Sequence, residues 1–255
     1  MHTFEVRFVG TQRQGSDNRF ENADLLLGAW RMNGQIVGRE HPTFVTGRTY
    51  VAIVMVQEIT SLEVANSGEY VRGRLNELAQ SGISVEFRHR GATHGKTLIC
   101  RCTPSPWMVL CTTFVQLGSP LLCGGCGCIV PLYRYPEPSG DHYKAICSES
   151  DYQACDTLQM NCSTGERFGT AEISRLDSSL SIRGRAICTT YAELSGIPVY
   201  YYLYRGNGRS LVTERRRTCP GCGGSWLLPE RLAPHFDMKC DDCRLVSNIA
   251  WTLAR

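Results

Sequence analysis

Four cysteines near the C-terminus carry the clearest chemistry in the chain. Cys219-Pro220-Gly221-Cys222 and Cys240-Asp241-Asp242-Cys243 are two C-x2-C pairs, separated by 17 residues that include Trp226 and Phe236. A C-x2-C turn aims successive backbone N–H groups at two thiolates. Two such turns together supply the four sulfurs of tetrahedral Zn2+, at about 2.3 Å each. Gly221, Gly223 and Gly224 let the first turn be sharp. The spacing is that of a zinc ribbon and predicts Zn2+ held by Cys219, Cys222, Cys240 and Cys243; the competing reading is four buried core thiols. With every position filled by thiolate, none is open to water or substrate, so the ion is expected to be structural and its binding energy to be folding energy.

A third pair, Cys123 and Cys126 with Cys128 just after, is less informative. The other cysteines nearest to it in the chain, Cys100, Cys102 and Cys147, lie at spacings outside the ribbon pattern. A second zinc or a redox pair is one reading; the favoured one is a glycine-rich turn with incidental thiols. Cys100 and Cys102, one residue apart, fit one face of a strand and carry no metal argument alone.

Upstream of the ribbon, Val199-Tyr200-Tyr201-Tyr202-Leu203-Tyr204-Arg205 reads as an aromatic strand, and Arg209, Arg215, Arg216 and Arg217 follow it. Tyrosine platforms flanked by guanidinium groups hold single-stranded nucleic acid, at roughly 1–3 kcal/mol per stacked base. On that reading Tyr202, Tyr204, Arg205, Arg209, Arg215, Arg216 and Arg217 contact nucleic acid. The alternative is that the tyrosines fill a strand buried on both faces, while the arginines neutralise the charge of a zinc tetrathiolate.

The elements that must position these groups are legible in part. Phe4, Val6 and Phe8 alternate with Thr3, Glu5 and Arg7 as a strand; Asn22 is placed to cap a helix carrying Ala23, Leu26, Leu27 and Trp30 that stops at Gly34. Thr43 to Thr46 and Thr49 to Met55 flank Gly47-Arg48 as a hairpin. A helix with Val71, Leu75 and Leu78 then ends at Gly82, and Ile83, Val85 and Phe87 alternate as a last strand. The order β-α-β-β-α-β is that of a ferredoxin-like unit. Arg88 to Thr97 is polar, with His89, Arg90, Gly91, His94, Gly95 and Lys96, and reads as a linker or exposed loop. Two helices are expected next. The first runs from His142 to Cys162. The second carries Ile173, Leu176, Leu180, Ile187, Tyr191 and Leu194 and ends at Gly196, with Gly184 on its apolar stripe. Trp107 to Leu110 and Thr113 to Val115 are β-type runs.

Composition narrows the functional classes. At 255 residues the chain has room for two domains, and 27 basic against 24 acidic residues leave only +3, so any polyanion surface must be local. The first residues form a strand pattern rather than a secretory leader, and no apolar run approaches the 18 or so residues of a membrane span. A cytosolic location with no membrane contact is expected, where the fourteen cysteines stay reduced. A cysteine nucleophile such as Cys155 or Cys162 could be assembled in space with a histidine base, as in nearly any chain of this size, and no local signature supports it. A non-catalytic protein is the expectation.

Val130-Pro131-Leu132-Tyr133-Arg134-Tyr135-Pro136, the run from Asp151 to Cys162, the strand from Pro198 to Arg205 and the ending from Phe236 to Ile249 together resemble a bacterial family of zinc-ribbon-containing proteins of unknown function for which nucleic-acid binding is a conjecture. The resemblance covers about the last half. It implies ribbon ligands at Cys219, Cys222, Cys240 and Cys243 and brings no catalytic residue. The expected protein is α+β: a ferredoxin-like domain over residues 1–90, a mixed helical and β region over 91–212 and a zinc ribbon over 213–255. The expected partner is nucleic acid. The alternative is a protein partner, with the chain acting as an adaptor, regulator or immunity-type inhibitor of a toxin.

Overall fold

The structure, a computed structural model, describes residues 1–10, 20–93, 98–232 and 235–253. The chain forms two compact units, one of Met1–Ile99, Leu117–Ser119 and Pro131–Tyr143, the other of Cys100–Gln116, Pro120–Val130 and Lys144–Arg255. The protein is α+β, with two sheets among the described residues.

In the first unit, strand β1 (His2–Gly10) lies between β4 (Thr49–Val56) and β5 (Ile83–Ala92), antiparallel to both; β2 (Ile36–Val37) and β3 (Thr43–Thr46) pair with β4. Alternation puts Phe4, Val6 and Phe8 of β1 and Ala52, Val54 and Val56 of β4 on one face. There they share a core with Leu26, Leu27 and Trp30 of helix α1 (Glu21–Met32) and Val71 and Leu78 of α2 (Glu69–Gln80). The β3–β4 hairpin turns at Gly47, whose φ of +60° suits glycine.

Two local expectations differ. Phe20, not Asn22, precedes the first helical residue, so Asn22 sits inside the first turn of α1. Arg88 to Gly91 are not a loop: they extend β5, where Arg90 pairs with Glu5 and the His89 ring packs on Phe4. The cross-strand acid gives the basic residues of β5 a partner that periodicity alone could not reveal. His94, Gly95 and Lys96 lie outside the described residues.

In the second unit the sheet order is β7-β6-β8-β11-β10-β9, made of β6 (Met108–Leu110), β7 (Leu121–Cys123), β8 (Val199–Leu203), β9 (Leu227–Leu232), β10 (Phe236–Cys240) and β11 (Leu245–Ser247). β8 runs parallel to both neighbours, β6 and β11, and the outer pairs are antiparallel. The strands of the cysteine ribbon therefore continue the same sheet as the middle region. Helix α3 (Tyr143–Met160) comes close to the expected span. The following stripe is two helices, α4 (Glu166–Ser174) and α5 (Ser179–Ser195), because the Ser178 side chain accepts the Ser181 N–H and starts a new helix. Phe114 and Val115 stand exposed in a turn instead of a strand.

All five residues of β8 are buried, so its side chains need cover on both faces. Tyr201 points at α5, where a Cβ on Gly184 would fall 2.2 Å from the Tyr201 ring. Gly184 is thus a place where helix and strand meet too closely for a larger side chain. Gly184→Ala is expected to lower stability by about 1–3 kcal/mol through overpacking. Gly28→Ala in α1, where an added Cβ meets nothing within 4 Å, is expected to be neutral or to stabilise by up to about 1 kcal/mol. Urea denaturation of the two variants checks the pair.

Candidate functional site

The ribbon is built on the β9–β10 hairpin. Cys219 and Cys222 precede β9, Cys240 ends β10, and Cys243 lies in the turn into β11. The first knuckle is closed by two backbone bonds: the Cys219 N–H donates to the Gly224 carbonyl at 2.8 Å, and the Gly223 N–H donates to the Cys219 carbonyl at 2.8 Å. Trp226 is buried beneath it and donates its indole N–H to the Arg217 carbonyl at 2.9 Å.

All four sulfurs lie within 4.8 Å of one another, and those of Cys222 and Cys240 are 3.7 Å apart. A tetrahedron with Zn–S bonds of about 2.3 Å has sulfurs about 3.8 Å apart, so the donor set fits one ion. The space is reserved for sulfur: a Cβ on Gly221 would come 2.6 Å from the Cys243 Sγ. The Gly224 N–H and the neighbouring thiols hold the Cys222 thiol below its ordinary pKa, while burial pushes Cys240 up. Four thiols this close cannot all ionise unaided, and a divalent cation removes the conflict.

A second group of four cysteines has the same compactness. Cys100, Cys102, Cys123 and Cys126 also place their sulfurs within 4.8 Å of one another. This corrects the expectation of incidental thiols in a glycine-rich turn: the turn from Cys123 to Cys128 is brought against the Cys100–Cys102 segment, tied by the Cys100 N–H to the Ile129 carbonyl at 2.7 Å. Burial raises the Cys123 thiol, but the Cys126 backbone N–H, the Ser105 hydroxyl, the Gly125 backbone N–H and the Cys100 thiol together outweigh it and bring the group down to about 7. Cys102 is pushed up to about 12, first by the Cys100 thiol beside it. Each of the two clusters can hold a metal ion.

The residues expected to touch nucleic acid are divided by the fold. Tyr202 is 2% exposed, with its hydroxyl donating to Asn248 at 2.9 Å and its ring packed on Phe236 and His235. It is not a platform for bases; it fills the face of β8 opposite Tyr201. Tyr204 is half-buried. Arg205 makes a 2.6 Å ion pair with Glu214, itself 1% exposed. Arg217 lies 3.6 Å from the same carboxylate, bonds the Asn248 carbonyl at 2.9 Å and stacks over Trp226. Arg209, Arg215 and Arg216 are exposed, the last two at the end of helix α6 (Leu211–Arg215).

The other nucleophile candidates are set apart from these clusters. Cys155 is buried, which raises its thiol, and the exposed Cys162 thiol turns to the carbonyls of Gln159 and Met160. Sequence reasoning missed a cavity of about 530 Å3 beside the second knuckle, lined in part by Arg185, Cys188, Ile197, Cys243 and Arg244. Among the described residues no helix is long and apolar enough to cross a membrane.

Fold and clusters together define an α+β protein of two sheets carrying paired four-cysteine centres. The chain belongs to a bacterial family that includes an uncharacterized protein of Haemophilus influenzae, 36% identical over 248 residues that span 92% of this chain and 94% of the relative. Another uncharacterized protein of the same organism is 43% identical over 153 residues, 58% of this chain and 74% of that relative. Family models match in three stretches, each described as a domain of unknown function: DUF8589 over residues 1–89, DUF2310 over 102–204 and DUF8594 over 208–253. No solved structure matches the chain.

His235 offers a pH test of the packing around β10. Burial, with Arg231 nearby, lowers its pKa to about 4, against about 6.5 in an unfolded chain. Between these values the unfolded state binds more protons, so this residue's contribution is intact above about pH 6.5 and is lost as pH falls towards 4. His235→Gln is expected to lose stability less steeply than the wild type over that window, measured by denaturation at a series of pH values.

Proposed function

We propose that this protein is a non-catalytic recognition protein whose C-terminal ribbon folds around one structural zinc ion and whose partner is nucleic acid, held through its phosphates. The observation that carries the reading is the closed donor set of Cys219, Cys222, Cys240 and Cys243, with all four sulfurs within 4.8 Å. Four thiolates saturate Zn2+, so the ion stiffens the hairpin and offers no site for chemistry.

The exposed arginines supply the contact surface. Arg209, Arg215 and Arg216 project from α6 and the segment before it. Arg205 and Arg217 are spent on Glu214 and support that surface from beneath. With Tyr202 buried, recognition rests on phosphate charge more than on base stacking, which favours a sequence-tolerant partner. The antiparallel β5-β1-β4 arrangement, with α1 and α2 on a common core, supports a ferredoxin-like reading of the first unit. That superfold hosts many functions and adds nothing to the choice of partner. The cysteine content suits a reducing, cytoplasmic compartment.

A second reading, docking on a protein, is favoured by Leu211 and Val212, which stand 40% and 61% exposed on the same short helix as the arginines.

In the full-length chain, Cys240→Ser is expected to lower zinc content and reduce stability, read by elemental analysis and thermal unfolding. Replacing Arg209, Arg215 and Arg216 with glutamine is expected to leave zinc content unchanged. The same variant should flatten the salt dependence of single-stranded RNA or DNA binding by about 2 in log–log slope, at about 0.7 for each phosphate no longer neutralised. Absence of any binding at about 50 mM salt moves the assignment to the protein-docking reading.

A further inference from the structure

We propose that Cys100, Cys102, Cys123 and Cys126 hold a second zinc ion, in a clasp built on the same plan as the C-terminal ribbon. The inference stands on the cluster's own geometry and does not require the ribbon to be a recognition surface.

The backbone of the turn is the first ground. In the ribbon, the first cysteine's N–H reaches the carbonyl five residues on, and its own carbonyl receives the N–H four residues on. The third pair repeats both bonds: the Cys123 N–H donates to the Cys128 carbonyl at 2.8 Å, and the Gly127 N–H donates to the Cys123 carbonyl at 2.8 Å. The residue after the second cysteine takes a left-handed conformation in all three C-x2-C pairs, with φ of +70° at Gly127, +74° at Gly223 and +52° at Arg244. For Arg244 that conformation costs energy which a loop under no constraint would avoid. A glycine-rich loop with incidental thiols has no reason to reproduce this turn and also to meet two further cysteines.

Burial and placement repeat as well. In every pair the first cysteine is buried and the second is more open: Cys100 and Cys102, Cys123 and Cys126, Cys219 and Cys222, Cys240 and Cys243. In each cluster, one pair precedes a hairpin and the other lies at the end of the hairpin's second strand, β7 or β10. The two hairpins lie on opposite sides of β8 in the sheet, β6–β7 directly beside it and β9–β10 beyond β11. The turn is also pressed tightly into place. The Gly124 N–H donates to the Trp107 carbonyl at 2.8 Å, and a Cβ on Gly124 would fall 2.0 Å from the Trp107 ring. The fifth thiol, Cys128, turns to the Cys126 carbonyl at 3.5 Å and stays outside the set.

Four thiolates within 4.8 Å of one another suit zinc, with iron the chemical rival. The test is metal counting on the full-length chain purified under reducing conditions. Two equivalents of zinc per chain are expected. Cys123→Ser with Cys126→Ser should remove one and leave one; Cys219→Ser with Cys222→Ser should remove the other; Cys128→Ser should keep both. If the first double variant does not fold, stepwise release from the wild type by a mercurial thiol reagent, read with a chromogenic zinc chelator, counts two equivalents in its place. Zinc content that is the same in the wild type and in the Cys123 and Cys126 double variant, a single mercurial-released equivalent that is lost in the Cys219 and Cys222 double variant, or iron in this site overturns the proposal. An equivalent that disappears with Cys123 and Cys126, while zinc content is unchanged without Cys219 and Cys222, supports it and overturns the ribbon assignment.

Discussion

The constraint on which the second unit depends is the burial of β8 on both faces. A strand with parallel neighbours on each side has no solvent-facing side, so every side chain must find cover. Tyr201 takes the close approach of α5 at Gly184, while Tyr200 and Tyr202 take the opposite face. The polar ends of these rings are satisfied, that of Tyr202 in the interior by Asn248 and that of Tyr200 nearer the surface by Asp241 and Arg244. Asn248 also bonds the backbone of Arg205 through both its oxygen and its amide. The segment leaving β8 is thus anchored to the segment leaving β11, and the exposed arginines begin a few residues beyond that anchor.

Glu214 is the other organising group on that side. Its carboxylate is almost wholly buried and faces two guanidinium groups, of which that of Arg217 also bonds Ser247 and the Asn248 carbonyl. Such an arrangement holds geometry more than it adds stability, because desolvating the charges offsets much of their attraction. Its effect is to divide the basic cluster into two cations that build the fold and three that remain outside.

The ribbon is legible from residues alone because C-x2-C pairs at this spacing have few other uses, and the structure draws the four sulfurs together. The first unit's strands and helices are also legible, since Phe4, Val6 and Phe8 alternate cleanly and Val71, Leu75 and Leu78 share a helix face. Other features are hidden for identifiable reasons. Cys100 and Cys102 meet Cys123 and Cys126 through the pairing of β6 with β7 and the bond from the Cys100 N–H to the Ile129 carbonyl, contacts that no local spacing encodes. The break between α4 and α5 depends on the Ser178 side chain choosing a backbone N–H, against an apolar stripe that runs straight through. The tyrosine run could face bases or a core with equal periodicity, and only the parallel neighbours of β8 decide it.

Tyr200 stands between the two cysteine centres. Its ring meets the edge of Trp107, whose backbone carbonyl receives the Gly124 amide of one knuckle, and its hydroxyl bonds Asp241, which lies inside another. Lys239 lies over both rings, and Arg244 completes the bridge. The two knuckles therefore rest against one shared side chain rather than on separate supports.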